Sequence, residues 1–325
     1  MPTLVVQTAF LGDVVLTTPL LAALAQRHGP VDVVLTPQAA VLLAAHSAVR
    51  EIVVFDKRGR DRGLRGLWRI GRALRRRRYA RAYLPHRSAR SAALAWLAGA
   101  PVRVGYAGSA AAWSYTRRVP RPTTGHEVER LLALLEHPPE PAPPVCLGLA
   151  EEDRRRAGAW MARHGVHPGF TVLAPGSAWG TKRWPYYAEL AARLPGQILV
   201  LGGPDVSQEA ERIAAAAPGR VRSGAGALSL AESAALLEHA ALVVCNDSAP
   251  LHLAAAAGVR TVAVFGPTVP AFGFGPRGAR DVIVEHPGLS CRPCSTHGPM
   301  QCPLGHHRCM VDLSVEAVLK AARSG

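Results

Sequence analysis

Short β-branched runs alternate with helical patterns along this chain, and they do so twice, on either side of one proline-rich stretch. In the first half, strand-like segments at 3–9, 31–36, 50–56 and 81–86 are separated by helical patterns at 14–29, 38–46 and 88–100. In the second half, strand-like segments at 170–177, 197–203, 241–247 and 261–267 are interleaved with helical patterns that begin at 151 and include 249–258. Strand–helix–strand order of this kind predicts an α/β fold with open, mostly parallel sheets. Between the halves, residues 136–149 (EHPPEPAPPVCLGL) carry five prolines within nine residues and read as a stiff linker. The expectation is two Rossmann-like domains, 1–140 and 141–325, and 325 residues suffice for both. A return of the terminal helix to the first domain is left open. Ligands of such sheets bind beyond the carboxyl ends of strands, where the interdomain cleft would lie.

The N-terminal run MPTLVVQTAFLGDVVLTTP lacks a basic leader and is interrupted by Asp13 and Pro19, and no stretch reaches the roughly 18 apolar residues of a membrane span. A cytoplasmic protein with reduced thiols is expected. The net charge of +15 is concentrated: residues 57–81 hold twelve Lys or Arg against Asp61 alone. Leu64, Leu67, Trp68 and Leu74 recur there at helical spacing. Such a helix suits peripheral contact with an anionic membrane. The competing reading is a solvated helix with its apolar stripe in the core. Nucleic acid is not expected as a partner, because no recognition motif accompanies the basic segment. Only three lysines stand against 35 arginines, and Asn246 is the single asparagine. The survivors are candidates for work that Arg or Asp cannot do.

Three loops at strand ends carry candidate chemistry. In LAPGSAWGTKRWP (173–185), Ser177 and Thr181 offer hydroxyls, and Lys182 offers a compact charge for a phosphate oxygen. In VVCNDSAPLHLAAAAG (243–258), Asp247 or Ser248 can cap a helix whose N-terminal N–H groups suit a diphosphate, with His252 on its first turn. The alternative for both is ordinary structural capping. In TAFLGDVVLTTP (8–19), Gly12 turns the chain and Asp13 is either an N-cap or a general base for an acceptor hydroxyl. Neither GxxxxGK[ST] nor GxGxxG occurs, which argues against an NTPase or a dehydrogenase.

Together the stretches FLGDVVLTTPLLAAL, LPHRSARSAALAWLAG, HEVERLLALL, LAPGSAWGTKRWP, VLGGPD, NDSAPLHLAAAAG, VAVFGPT and CPLGHHRCMVDL resemble glycosyltransferase family 9. The resemblance implies a GT-B fold, two Rossmann-like domains facing across a cleft. It implies an inverting, metal-independent heptosyltransferase with an ADP-heptose donor and a lipid-linked inner-core saccharide acceptor of lipopolysaccharide biosynthesis. By the same resemblance Asp13 is the catalytic base. Ser177, Thr181, Lys182, Asn246, Asp247, Ser248, Ala249 and His252 form the donor site. Ala249 departs from the family, which often has Gly there. Gly12, Arg87 and Arg90 are assigned to the acceptor. A family 9 transferase with another nucleotide sugar or acceptor, and a non-catalytic nucleotide-sugar-binding module, are the alternatives.

One segment stands apart. CRPCSTHGPMQCPLGHHRC places Cys291, Cys294, Cys302 and Cys309 at C-x2-C-x7-C-x6-C spacing, with three histidines among them. Structural zinc, disulfides and free thiols are all compatible with it. No cofactor is required by the transfer chemistry, and the segment is expected at the rim of the site rather than at the reaction centre.

Overall fold

In the computed structural model, which describes residues 2–324, the chain divides into two compact units, Met1–Leu149 and Ala150–Gly325. The first holds strands β1 (Thr3–Val6), β2 (Val31–Leu35), β3 (Val49–Val54), β4 (Arg81–Leu84), β5 (Val102–Tyr106) and β6 (Arg117–Val119). The second holds β7 (Thr171–Ala174), β8 (Ile198–Val200), β9 (Val221–Ser223), β10 (Leu242–Asn246), β11 (Thr261–Phe265) and β12 (Val282–Glu285). The sheet orders are β3-β2-β1-β4-β5-β6 and β12-β11-β10-β7-β8-β9, and every pairing is parallel. Numbered within its own unit, each sheet has the same 3-2-1-4-5-6 order. Each therefore reverses winding at one point, between β1 and β4 in the first and between β7 and β10 in the second. At such a point the loops leaving two adjacent strands diverge to opposite faces and open a crevice.

The strand sequences explain the burial. VDVVL, LVVCN and TVAVF are apolar nearly throughout and buried at every position, as strands covered on both faces must be. All eight strand-like segments of the sequence form strands. The regular pairing is shorter than the apolar runs, whose ends continue into the site loops. β5, β6, β9 and β12 escape the sequence patterns. β6 is only RRV and β9 only VRS, too short and polar to show periodicity.

Helix Leu11–His28 starts three residues before the expected boundary and passes through Pro19. Pro19 cannot donate to the Val15 carbonyl, and the Thr18 hydroxyl does so instead at 2.8 Å. The helix ends at Gly29, whose φ of +78° lies in the left-handed region. The proline-rich segment is anchored on the first unit at its end: Cys146 N–H donates to Thr18 Oγ1 (3.1 Å), and Gly148 exchanges bonds with Leu42 and Ala45 (2.9 and 2.7 Å). The terminal helix Val315–Arg323 packs on β11 and β12 of the second sheet. Among the described residues no helix is long and apolar enough to cross a membrane.

Candidate active site

In each unit the candidate residues gather at the switch point of the sheet. In the first, Asp13 lies in the first turn of helix Leu11–His28, which follows β1. It is not the N-cap. Phe10 occupies that position, and its N–H donates to the Asp13 carboxylate at 3.2 Å. Gly12 is helical and buried rather than a turn former. Burial raises the Asp13 pKa to about 6, and the nearby charge of Glu127 adds to the rise; the Phe10 N–H and Arg121 oppose it. Glu127 begins helix Glu127–Leu132 and is itself buried, ion-paired with Arg121 and lying 3.7 Å from Arg130. A carboxylate half in solvent would be too weak a base near neutrality. The Glu127 charge and the burial make Asp13 a stronger one.

The loop leaving β4 supplies the other wall. His86 Nδ1 lies 3.1 Å from Thr8 Oγ1 and 3.2 Å from Ser91 Oγ. Burial lowers its pKa to about 4, helped by the charges of Lys57, Arg87 and Arg90, so the ring is neutral at physiological pH. Arg87 and Arg90 are exposed beside it. Lys57 donates to the Thr8 carbonyl. Thus one of the three lysines fixes the β1 loop, and a cationic rim of Lys57, Arg87 and Arg90 adjoins the loops that hold Asp13.

In the second unit the β7 and β10 loops meet at one ion pair. Lys182 Nζ donates to Asp247 Oδ2 at 2.5 Å, and both side chains are about nine-tenths buried. Thr268, from the loop after β11, donates to the same oxygen at 2.6 Å. Asn246 is fully buried. Its Oδ1 accepts from Trp184 N–H and the Tyr187 hydroxyl, each at 3.2 Å, and its Nδ2 donates to the Pro175 carbonyl at 2.8 Å. Only an amide can accept and donate in that way, which is why Asp would not serve. Asn246 therefore fastens the two loops together and leaves ligand contact to its neighbours.

Ser248 occupies the N-cap position of helix Ala249–Ala256, yet its hydroxyl donates to the Gly176 carbonyl at 3.1 Å and does not cap. At the start of that helix Pro250 has no N–H and Leu251 N–H donates to the Ser248 carbonyl at 3.1 Å, which leaves the Ala249 N–H as the donor without a partner in the helix. His252 lies on the same turn, buried edge-on to Phe274. Ser177 Oγ accepts from Trp179 N–H at 3.2 Å. Thr181 gives its hydroxyl proton to the Pro299 carbonyl.

That last bond shows what the cysteine-rich segment does. It lies directly against the Lys182 turn. His307 bonds the Thr181 carbonyl at 2.8 Å, and a Cβ on Gly180 would stand 2.4 Å from the Met300 carbonyl oxygen. Cys294 N–H donates to the Pro267 carbonyl at 2.9 Å, next to Thr268. The segment thus holds both the Lys182 and Thr268 loops. Cys291, Cys294, Cys302 and Cys309 are free thiols, and among the described residues no three His, Cys, Asp or Glu groups stand where they could hold a metal ion.

Sequence reasoning missed His86, Arg121, Glu127 and Thr268. Three of them lie in stretches already noticed, LPHRS, HEVER and FGPT, but nothing in those letters reports that His86 meets the β1 loop at Thr8, that Glu127 acts on Asp13 or that Thr268 bonds Asp247.

The arrangement, two switch-point sites with a raised carboxylate in one and a buried cation facing a helix start in the other, suits transfer from a phosphate-activated donor. Known proteins resemble this chain in sequence and in fold. Lipooligosaccharide heptosyltransferase 2 of Campylobacter jejuni is 32% identical over 161 residues, 47% of this chain and 49% of that protein. This chain spans about half the length of the first such relatives it matches. Lipopolysaccharide heptosyltransferase 2 of Escherichia coli K12 is 28% identical over 295 residues, 84% of each chain. A solved family 9 glycosyl transferase from Veillonella parvula superposes with a TM-score of 0.88 at 25% identity, covering 99% of this chain and 96% of its own. The fold is accordingly GT-B. The model of glycosyltransferase family 9 (heptosyltransferase) matches residues 67–305, well over half the sequence, and the chain belongs to that family.

Proposed function

We propose that this protein is an inverting heptosyltransferase that moves heptose from ADP-heptose to a lipid-linked inner-core saccharide. The observation that carries the reading is the buried Lys182–Asp247–Thr268 cluster at the switch point of the second sheet. It keeps an ammonium group in a low-dielectric turn beside a helix N-terminus, a pairing suited to a departing diphosphate. The donor's phosphate oxygens compete with Asp247 for the Lys182 proton donors.

The reaction is a single displacement. The acceptor oxygen attacks the anomeric carbon as the bond from that carbon to the diphosphate oxygen breaks. ADP leaves with its added negative charge offset by Lys182 and the Ala249 N–H. The acceptor hydroxyl proton passes to the Asp13 carboxylate, and attack opposite the leaving group inverts the anomeric centre. Asp13 lies outside the stretch matched by the family model, so its role rests on its position, its raised pKa and the cationic rim around it. That rim, Lys57, Arg87 and Arg90, suits an acceptor bearing carboxylate or phosphate groups.

The test is incubation with ADP-, UDP- and GDP-sugars plus a lipid-linked core acceptor, with products read by mass spectrometry. Heptose transfer from the ADP donor supports the proposal. Tight binding of the donor with no product would favour the binding-module reading instead.

A further inference from the structure

The charge of this protein is divided very unequally. Residues 1–149 carry 21 Lys and Arg against 9 Asp and Glu, a net of +12; residues 150–325 carry 17 against 14, a net of +3. Much of the excess lies on and around helix Gly63–Arg75. Its inward face is fully accounted for. Gly66, Ile70, Gly71 and Leu74 are buried, and a Cβ on Gly71 would stand 2.5 Å from the Leu97 Cβ of helix Ala89–Leu97, so the two helices are in close contact.

The apolar stripe read from the sequence does not go wholly to that face. Leu74 is buried and Leu67 partly so, whereas Leu64 is 82% exposed and Trp68 57% exposed. Around these two stand Arg65, Arg69, Arg72, Arg75 and Arg76, all exposed. Arg72 lies over the Trp68 ring at 5.2 Å. Arg69 is paired with Asp61, while Arg65, Arg72, Arg75 and Arg76 make no ion pair among the described residues. Two further exposed tryptophans follow on neighbouring elements, Trp96 (58%) on helix Ala89–Leu97 and Trp113 (76%) on the turn Ala112–Ser114. In the second unit, Trp160 and Trp184 are buried and Trp179 is half-buried.

A surface built only for water would not combine these features. Like charges at i,i+4, as at 65/69 and 72/76, each weaken a helix by a few tenths of a kcal/mol. Exposed Leu and Trp among them gain nothing from solvent. An anionic lipid surface relieves both: headgroups neutralise the arginines, and Leu64 and Trp68 enter the headgroup–acyl boundary. Nucleic acid would use the charge and could stack on Trp68, but it offers nothing to Leu64. We infer that this face docks on an anionic membrane surface with helix Gly63–Arg75 lying in its plane. The inference does not depend on which sugar is transferred.

Vesicle co-sedimentation tests it. The full-length protein should bind 3:1 phosphatidylethanolamine:phosphatidylglycerol vesicles, lose binding as salt rises, and ignore phosphatidylcholine vesicles. Arg65→Glu/Arg72→Glu/Arg76→Glu should weaken binding by about 100-fold or more, since each cation near such a surface contributes about 1 kcal/mol. Leu64→Ser/Trp68→Ser should weaken it about tenfold with the charge intact. Circular dichroism checks the fold of each. Arg163→Glu/Arg212→Glu/Arg280→Glu in the second unit should leave binding unchanged. Equal loss in that control would reduce the effect to net charge and overturn the proposal. So would displacement by inorganic phosphate at matched ionic strength, or binding to RNA oligonucleotides without binding to vesicles.

Discussion

Replacing Asp13 with Asn should make the protein less active and more stable, and the stability gain should depend on pH. The carboxyl is moved from 3.8 to about 6 by burial and by Glu127. Because the folded pKa is raised, the native state binds more protons than the unfolded chain between these values. Stability therefore falls as pH rises from about 4 to 6 and stays lower above that range. At about 1.4 kcal/mol per pH unit the full displacement approaches 3 kcal/mol, and partial solvent access lowers the expected gain to about 1–3 kcal/mol. Asn keeps the size and can still accept from the Phe10 N–H, so the helix start is preserved. Hydrogen-exchange mass spectrometry on peptides covering 3–28 reads this unit directly. Above pH 7 the variant should exchange these amides about 5- to 150-fold more slowly than the parent in the regime where exchange reports stability. At pH 4 the two should converge. A variant that is destabilised at pH 7.5, or whose advantage is the same at pH 4, would refute the assignment of Asp13 as a strained carboxylate.

Other consequences are open to direct measurement. The profile of kcat/KM against pH should rise through a limb near pH 6, and Asp13→Asn should lose that limb with about 10²–10⁴ of the rate. Lys182→Met should abolish donor binding in calorimetry and destabilise the second unit by about 3–5 kcal/mol, because Asp247 is left buried with Thr268 alone; adding Asp247→Asn should restore most of the stability and none of the binding. Among the six thiols, Cys302 should react first with iodoacetamide at pH 7.5. Its slight burial is outweighed by N–H groups of His307, Leu304, Gly305 and His306, which hold its pKa below the ordinary value, while burial raises those of Cys146, Cys245, Cys294 and Cys309. Peptide mapping after partial alkylation gives the order.

The fold was legible because its central strands are apolar on both faces and its helices are long. β10 and β11 announce themselves as LVVCN and TVAVF, and no tertiary information is needed to read them. Edge strands such as β6 and β9 are short and half polar, so only pairing reveals them. The site was legible where one loop holds the chemistry, as at Lys182 and Asn246–His252. It was illegible where partners come from distant loops. Glu127 lies 114 positions from Asp13 in the chain, and its effect on that carboxylate is purely spatial. Asn246 shows a subtler limit: its rarity singled it out, but the hydrogen bonds assign it to fastening the loops together. The cysteine segment is the converse case. Its spacing was compatible with zinc, disulfides or free thiols and said nothing of its packing, whereas the fold shows a backbone carbonyl and His307 bracing the Thr181–Lys182 turn.

The most direct test of the account is transfer from ADP-heptose to a lipid-linked core acceptor by the parent protein and by Asp13→Asn, with the anomeric configuration of the product read by NMR. The account predicts one heptosylated product from the parent, opposite in anomeric configuration to the donor. The variant should still bind ADP-heptose but turn over at least about 100-fold more slowly. Retained configuration, or transfer by Asp13→Asn at the parent rate, would contradict it.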